Sequence, residues 1–257
     1  MKSLPALLLL AGCTAAPLPQ GGIVSTNPCA DALLVQLAPE RLAAVSHWSH
    51  EESATSLPLS VARRWPATAS TAEEVIARRP DLVVTDTFAP AATRAAYAQA
   101  GLRVLTLDSP TTVAASLAQV RQVAAAVGQP ARGEALARRI ETSLTPPTSR
   151  RPAALMFISG DLTTGSGTLL DELLARAGFR NAAATYGLAY TGTLPAETIA
   201  ARPPAVIIAT GAGRQAAARA AVLRGVPTAS FDRRLVNCAG PTIPAALARL
   251  RAIRAHL

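Results

Sequence analysis

Two histidines and two glutamates form a polar cluster that could in principle ligate a metal ion. His47 and His50 are three residues apart, and Glu51 and Glu52 follow them directly. The chain has only one further histidine, His256, so a tetrahedral site would have to borrow carboxylates. We therefore expect a polar loop at this position rather than a metal centre.

A glycine-rich segment, Gly160-Asp-Leu-Thr-Thr-Gly-Ser-Gly-Thr168, lies where a phosphate-binding loop could stand, between a predicted strand and a predicted helix. A phosphate loop requires a lysine before its final hydroxyl residue, but Gly167 holds that place and Lys2 is the only lysine of the chain. We interpret the segment as a strand-to-helix turn whose backbone amides line a cleft. The common hydrolase signatures are also missing, so we predict no catalytic residue, no cofactor and no metal site.

Aromatic residues make up only 4% of the chain, and they concentrate in loops beside Gly, Pro, Ser and Thr. Aromatic side chains on loops can stack on a flat or bulky ligand, because they lose little conformational entropy when they bind. The alternative is that they cover the ends of the hydrophobic core. The residues expected to contact a ligand are His47, Trp48, Trp65, Phe88, Gly165, Tyr186 and Tyr190.

The first residues have the pattern of an export signal. Met1-Lys2-Ser3 precedes a short apolar run, and Leu10-Ala11-Gly12-Cys13 resembles the lipobox of bacterial lipoproteins. We expect a signal peptide over 1–12, a lipidated Cys13 at the start of a tether over 13–21, and a periplasmic protein anchored to a membrane. An ordinary secretory signal that happens to contain a cysteine is the alternative.

The net charge of +9 does not indicate a nucleic-acid-binding protein, because the arginines are scattered singly or in pairs and an exported protein would not meet nucleic acid. Apart from Cys13, the cysteines are Cys29 and Cys238. In an oxidising compartment we expect them to form a disulfide between the start and the end of the fold. Two buried free thiols are the alternative.

Short apolar strands alternate with helices over most of the chain, which predicts a parallel α/β sheet. The exception is 112–151, which is helical in pattern with an interruption at Gly128-Gln129-Pro130 and ends in a proline-rich linker. The motif of an acid, a short helix, a proline and a buried strand occurs twice, from Glu73 and from Glu197. We therefore predict two similar α/β lobes, over 22–111 and 152–257, joined by a helical connector over 112–151.

Three segments together resemble the helical-backbone class, class III, of substrate-binding proteins of ABC importers. They are Ile23-Val-Ser-Thr-Asn-Pro-Cys29, Glu73-Glu74-Val-Ile-Ala-Arg-Arg-Pro80-Asp81-Leu-Val-Val, and Gly167-Thr-Leu-Leu-Asp-Glu-Leu-Leu-Ala-Arg-Ala-Gly178-Phe-Arg-Asn181. The resemblance implies a ligand cleft between two lobes, a single long connecting helix, and delivery of the ligand to a membrane permease. The members of this class carry vitamin B12, ferric siderophores or heme.

Within that class the chain is most similar to the vitamin B12 binders. Val45-Ser-His-Trp48-Ser49 matches their corrin-contacting segment, and Trp65 fits a second pocket tryptophan. The resemblance also implies that Glu73 and Glu197 dock on the permease, although Glu197 is displaced by one residue relative to the expected spacing. We therefore expect a corrinoid ligand, with a ferric siderophore, heme or a metal ion as alternatives of the same fold and an exported enzyme as the competing class.

Overall fold

The computed structural model describes residues 21–144, 151–211 and 214–257. The predicted signal peptide, the predicted lipidation site at Cys13 and all but the last residue of the predicted tether lie outside these ranges. Within them, no helix combines the length and the apolar character needed to cross a membrane.

The first lobe is built around a five-stranded parallel sheet with the strand order β3-β2-β1-β4-β5. Its elements are β1 (Ile23–Ser25), α1 (Pro28–Leu37), β2 (Leu42–Ser46), α2 (Leu59–Ala62), β3 (Ala67–Thr68), α3 (Ala72–Ala77), β4 (Leu82–Asp86), α4 (Ala91–Gln99) and β5 (Val104–Leu107). Because all five strands are parallel, their carboxyl ends lie along one edge of the sheet, where open α/β sheets bind ligands.

Polar side chains start the helices of this lobe. The Asn27 side chain accepts hydrogen bonds from the backbone N–H groups of Cys29 and Ala30 at the start of α1. The Thr71 hydroxyl accepts one from the N–H of Glu74 at the start of α3. Such caps satisfy backbone donors that the first turn of a helix leaves unpaired, and they set where each helix leaves the sheet edge.

The connector consists of α5 (Val113–Ala126) and α6 (Pro130–Thr142) rather than one continuous helix. The interruption falls at the Gly128-Gln129-Pro130 segment that the sequence pattern indicates. Gly128 adopts a φ of 73°, a left-handed conformation that ends a helix, and Pro130 starts the next one. The two helices pack closely, since a Cβ added at Gly133 would lie 2.4 Å from the Cβ of Ala124.

The second lobe contains a six-stranded sheet in which β11, β10, β6, β7 and β9 follow one another and β8 pairs with β6. Its elements are β6 (Ala153–Ser159), β7 (Leu162–Thr163), α7 (Leu169–Arg176), β8 (Arg180–Asn181), β9 (Gly192–Thr193), α8 (Ala196–Ala200), β10 (Val206–Thr210), α9 (Arg214–Val222), β11 (Thr228–Phe231), α10 (Arg234–Asn237) and α11 (Ile243–Ala255). The prediction of two α/β lobes is therefore confirmed.

The second sheet differs from the first because β7 and β9 are antiparallel to their neighbours. The sequence pattern predicted a single strand-to-helix turn over 160–168, and that prediction was wrong. Only Gly160 and Asp161 separate β6 from β7, and so short a connection can join antiparallel strands but not parallel ones. The turn into α7 comes after this hairpin.

One hydrophobic core extends through both lobes. It includes Ile23 and Leu34 from the first lobe, Val120 from the connector, Met156 from the second lobe and Leu250 from α11, all fully buried. Smaller clusters belong to one lobe each. The shared core holds the lobes side by side and leaves a cleft where the carboxyl ends of their strands meet.

Candidate functional site

The cleft between the lobes has a volume of about 240 Å³. Asn27, Asp86 and Leu107 line it at the carboxyl ends of the first sheet, and Ile158 and Thr164 face them from the second lobe. The start of the connector and the segment 235–239 complete the walls. The cleft thus occupies the position that the parallel topology favours for a ligand.

Asn27 and Asp86 fix the first-lobe wall of the cleft. The Asn27 amide donates to one carboxylate oxygen of Asp86. The other oxygen of Asp86 accepts hydrogen bonds from the N–H groups of Phe88, at 2.7 Å, and Ala89, at 2.9 Å. These contacts hold the loop after β4 in a turn. The Phe88 side chain in this loop is 79% exposed and is not among those that line the cleft.

Hydroxyl groups form the opposite wall. The hydroxyls of Thr164 and Thr168 are 2.8 Å apart, and Thr168 caps α7 by accepting from the N–H of Asp171. Both threonines line the cleft. The second lobe therefore offers neutral groups that can both donate and accept hydrogen bonds.

Gly165 is buried under the loop that carries Tyr190. A Cβ added at Gly165 would lie 1.9 Å from the carbonyl oxygen of Tyr190, so no other residue fits without moving that loop. The Tyr190 side chain is 75% exposed, and the next residue, Thr191, lines the cleft. Gly165 therefore supports the Tyr190 loop rather than lying open in the cleft.

The cleft contains little charge. Among the described residues that line it, Asp86 is the one ionisable group, and the remainder are apolar, hydroxyl or amide side chains and the disulfide. Arg233 and Arg234 lie outside, in a separate gap of about 440 Å³ that they share with Glu51, Glu52 and Asp232. The cleft is therefore suited to neutral hydrogen-bonding groups and apolar surface, not to an anionic group that must be paired.

Cys29 and Cys238 form a disulfide in the structure, with Cα atoms 5.2 Å apart. Both residues line the cleft, one at the start of α1 in the first lobe and the other just after α10 in the second. The bond therefore joins the two lobes at the cleft itself.

The turn that carries His47 and Trp48 is held by a buried carboxylate. Asp31, on α1, is fully buried. One of its oxygens accepts from the N–H of Ser46 at 2.9 Å and from the hydroxyl of Ser49 at 2.6 Å. Burial raises the pKa of Asp31 to about 7, against the lowering effect of its hydrogen bonds with serines 25, 49 and 46. Asp31 thus sets the position of the turn relative to α1.

The two tryptophans occupy different environments. Trp48 is 50% exposed, and its ring lies 4.5 Å from that of His47. Trp65 is half-buried and packs against the main core. His47 Nδ1 and His50 Nε2 contact the backbone carbonyl oxygens of Thr68 and Ala62. None of these four side chains lines the enclosed part of the cleft.

Tyr186 is also set apart from the cleft. Its ring packs against the second-lobe core, and its hydroxyl donates to the carbonyl oxygen of Arg202 at 2.6 Å. None of the seven residues expected to contact the ligand lines the cleft. Gly165 and Tyr190 are next in sequence to the lining residues Thr164 and Thr191, and Phe88 follows Asp86 by two residues, whereas Trp65 and Tyr186 pack against the cores.

Glu73 and Glu197 are exposed in the first turns of α3 and α8, one on each lobe. The helix of Glu73 has the Thr71 cap, whereas α8 starts after Pro195 without a side-chain cap.

Most of the residues that line the cleft were not predicted from the sequence. Asn27, Asp86 and Leu107 could have been found, because each lies at or just after the end of a predicted strand. Asn237 carries no such signal, since only the tertiary fold brings the segment before α11 to the cleft.

The sequence matches the periplasmic binding protein family over residues 23–230, and the chain belongs to this family. No curated protein sequence matches this one. Together with the structural neighbours, the match confirms the predicted class, class III. The fold is that of an ABC-importer substrate-binding protein, and the family implies a periplasmic location, a permease partner and a small-molecule ligand rather than an enzymatic reaction.

Solved structures of similar fold include the apo periplasmic heme-binding protein RhuT from Roseiflexus sp. RS-1, at 22% identity and a TM-score of 0.71 over 91% of this chain and 96% of that one. The periplasmic heme-binding protein HutB of Vibrio cholerae has 17% identity and a TM-score of 0.75 over 91% and 98%. Ceue of Helicobacter pylori with Ni(II) bound has 16% identity and a TM-score of 0.69 over 92% and 83%. At these identities the likeness concerns the fold.

Proposed function

We propose that this periplasmic binding protein captures a corrinoid, a ligand of the vitamin B12 type, and delivers it to the permease of an ABC importer. The observation that carries the proposal is the chemistry of the cleft wall, where hydroxyl, amide and apolar groups surround a single ionisable residue, Asp86. The rim of a corrin ring bears neutral amide groups that pair well with hydroxyls and amides. Heme bears two carboxylates, which are best bound by arginine.

The size of the cleft indicates how such a ligand would sit. A volume of about 240 Å³ is below the roughly 300–1,000 Å³ of typical ligand pockets, so only one part of a macrocycle enters. The remainder would rest at the mouth against exposed aromatic rings. Phe88, Tyr190 and Trp48 are exposed on loops at the carboxyl ends of strands or beside cleft residues, where they can stack on a flat ring.

Delivery would use the surface acids of both lobes. Glu73 and Glu197 are exposed at helix starts, where they can meet arginines of the permease. A lipid on Cys13 would keep the protein beside the membrane and raise its effective concentration at the permease.

Heme is the second candidate, because several proteins of similar fold are periplasmic heme-binding proteins. Tyr190 is exposed beside the cleft, and a tyrosine oxygen can ligate heme iron. Heme binding would place the propionates outside the cleft, near Arg233 and Arg234.

A spectroscopic titration separates the two candidates. The purified mature protein is titrated with cyanocobalamin, dicyanocobinamide and hemin, and binding is followed by tryptophan quenching and by the absorbance of each ligand. We expect a corrinoid to bind at least tenfold more tightly than hemin, with little dependence on salt because the cleft has little charge. Tighter binding of hemin, with an absorbance change that is lost in Tyr190→Phe, would overturn the proposal in favour of heme.

A further inference from the structure

One flank of the cleft is closed by contacts between the lobes. The Asn237 side chain, in the second lobe, donates to the carbonyl oxygens of Ser53 and Thr55, both at 3.3 Å, in the first lobe. The next residue, Cys238, is bonded to Cys29. We refer to the two segments that these hydrogen bonds join, 53–55 and 237–238, as the closed flank.

The segment that follows Cys238 also contacts the connector and the first lobe. The N–H of Gly240 donates to the hydroxyl of Ser116 on α5 at 2.8 Å. A Cβ added at Gly240 would lie 3.1 Å from a methyl carbon of Leu33 on α1. The segment after Cys238 is therefore held against the connector and against the first lobe, so the disulfide is supported by packing on both sides.

The loops on the other side of the cleft lack such links. The loop 86–90 carries Phe88 and the loop 188–193 carries Tyr190. Among the described residues, no hydrogen bond, ion pair or disulfide joins these two loops. Both aromatic rings are more than 70% exposed. We refer to this side as the open flank.

We propose that the Cys29–Cys238 disulfide determines the ligand specificity of the cleft by keeping one flank closed. A ligand then enters and leaves only across the open flank, between Phe88 and Tyr190. Only a chemical group that fits the fixed space near the disulfide reaches the inner part of the cleft. The identity of the ligand rests on the proposed function, whereas the restraint on the lobes does not.

The first test needs no ligand. Hydrogen exchange of the apo protein is measured for the wild type, for the wild type reduced with a phosphine, and for Cys29→Ala/Cys238→Ala. We expect exchange in 53–55 and 237–238 to rise at least tenfold on reduction and in the double variant, with little change in 86–90 and 188–193. The double variant is the matched control, because the phosphine should not alter it further.

Two outcomes of this test overturn the proposal. One is unchanged exchange in the closed flank after reduction, which would mean that packing alone keeps it shut. The other is an equal rise in both flanks. If the double variant fails to fold, the reduced and reoxidised wild type provides the same comparison.

The second test concerns specificity. Cobinamide lacks the bulky nucleotide loop of cobalamin, so a cleft with one closed flank should favour it. We expect the wild type to bind cobinamide at least tenfold more tightly than cobalamin, and this ratio to fall below threefold in Cys29→Ala/Cys238→Ala. An unchanged ratio overturns the role in specificity, whereas failure of both corrinoids to bind overturns the proposed function and leaves the exchange test standing.

Discussion

The two lobes have a similar architecture, but different side chains hold the residues around the cleft in place in each lobe. In the first lobe, carboxyl groups accept the hydrogen bonds. Asp31 binds the turn that carries Trp48, and Asp86 binds both Asn27 and the loop that carries Phe88. In the second lobe, the hydroxyls of Thr164 and Thr168 form the cleft wall, and close backbone packing at Gly165 supports it. A carboxylate also takes part there, but from behind the wall, because Asp171 accepts from the N–H of Gly167 and from the amide of Asn181.

The helices that cover the sheets differ too. On the second lobe, α9 is flanked by two open spaces of about 270 and 420 Å³. Most side chains of α9 are alanine and too short to fill them. Among the longer side chains of α9, Arg219 extends over the Phe157 ring at 3.8 Å and pairs with Asp161. Arg219 thus anchors α9 to the turn after β6, since it also donates to the carbonyl oxygen of Gly160 at 2.8 Å.

Removal of the disulfide is expected to have the largest effect on the stability of the two lobes. The bond closes a loop of 209 residues between the lobes, so Cys29→Ala/Cys238→Ala should lower the free energy of unfolding by about 2–5 kcal/mol. Because the two lobes share one hydrophobic core, we expect a single transition that moves to a lower denaturant concentration without the bond. An unshifted transition would show that the bond does not stabilise the fold.

The bond itself can be checked by thiol titration. In the denatured, unreduced mature protein, mass spectrometry should find no reactive thiol at Cys29 or Cys238. Two reactive thiols at these positions would refute the disulfide.

Asp31 should make the stability of the first lobe depend on pH. Its folded pKa of about 7 lies above the unfolded value of 3.8, so the folded state binds the proton more tightly between these values. Stability is therefore expected to fall as pH rises from 4 to 7, by about 1 kcal/mol per pH unit, and to level off above 7. Denaturant unfolding as a function of pH should show this slope in the wild type and lose it in Asp31→Asn.

Ser49→Ala provides the control for Asp31. It removes a hydrogen bond to the carboxylate but keeps the titrating group, so the loss of stability should extend to higher pH. Equal slopes in the wild type and Asp31→Asn would show that Asp31 does not titrate in this range.

Trp48→Ala should weaken corrinoid binding by about 1–3 kcal/mol without lowering stability, because the ring is half exposed in the turn after β2, at the carboxyl edge of the first sheet. Trp65→Ala should also lower the free energy of unfolding, since Trp65 packs against the main core. Fluorescence titration and denaturant unfolding measure the two effects. Val222→Ala is the matched control, because Val222 is 45% exposed on α9. Unaltered ligand affinity in both tryptophan variants would show that neither tryptophan belongs to the binding site.

The smallest expected effects concern docking. Glu73→Gln should reduce uptake in a reconstituted importer by about two- to fivefold, and Glu197→Gln by less, because exposed ion pairs contribute little and α8 lacks a capped start. Ligand affinity should not change in either variant. Glu40→Gln serves as the control, because Glu40 is an exposed acid paired with Arg132. Equal uptake in all variants would show that Glu73 only stabilises the N-terminus of its helix.

Much of the fold can be predicted from the sequence, because buried strands and capped helices leave local patterns. The strands at 23–25, 42–46 and 104–107 lie where their apolar runs indicate. The two-residue strands β3, β7, β8 and β9 were not predicted, since their pairing depends on neighbours distant in sequence.

The site is less predictable than the fold. Loop aromatics indicate a cleft, but whether a ring is free, as Phe88 is, or packed on a core, as Trp65 is, depends on tertiary contacts. Asp31 has the sequence signature of an ordinary helix-start acid. Its burial follows only from the placement of α1 against the turn after β2.

The shared hydrophobic core has a consequence for how this protein can be divided. Helix α11, the last element of the chain, buries Leu247, Leu250 and Ile253 in the same core that contains Ile23 and Leu34. A cut within 145–150 would therefore not release two separate domains, because each half would expose an apolar face that the other covers. The lobes cannot be exchanged singly between related proteins. A lobe taken from a related protein would need its part of the shared core redesigned to fit the other lobe.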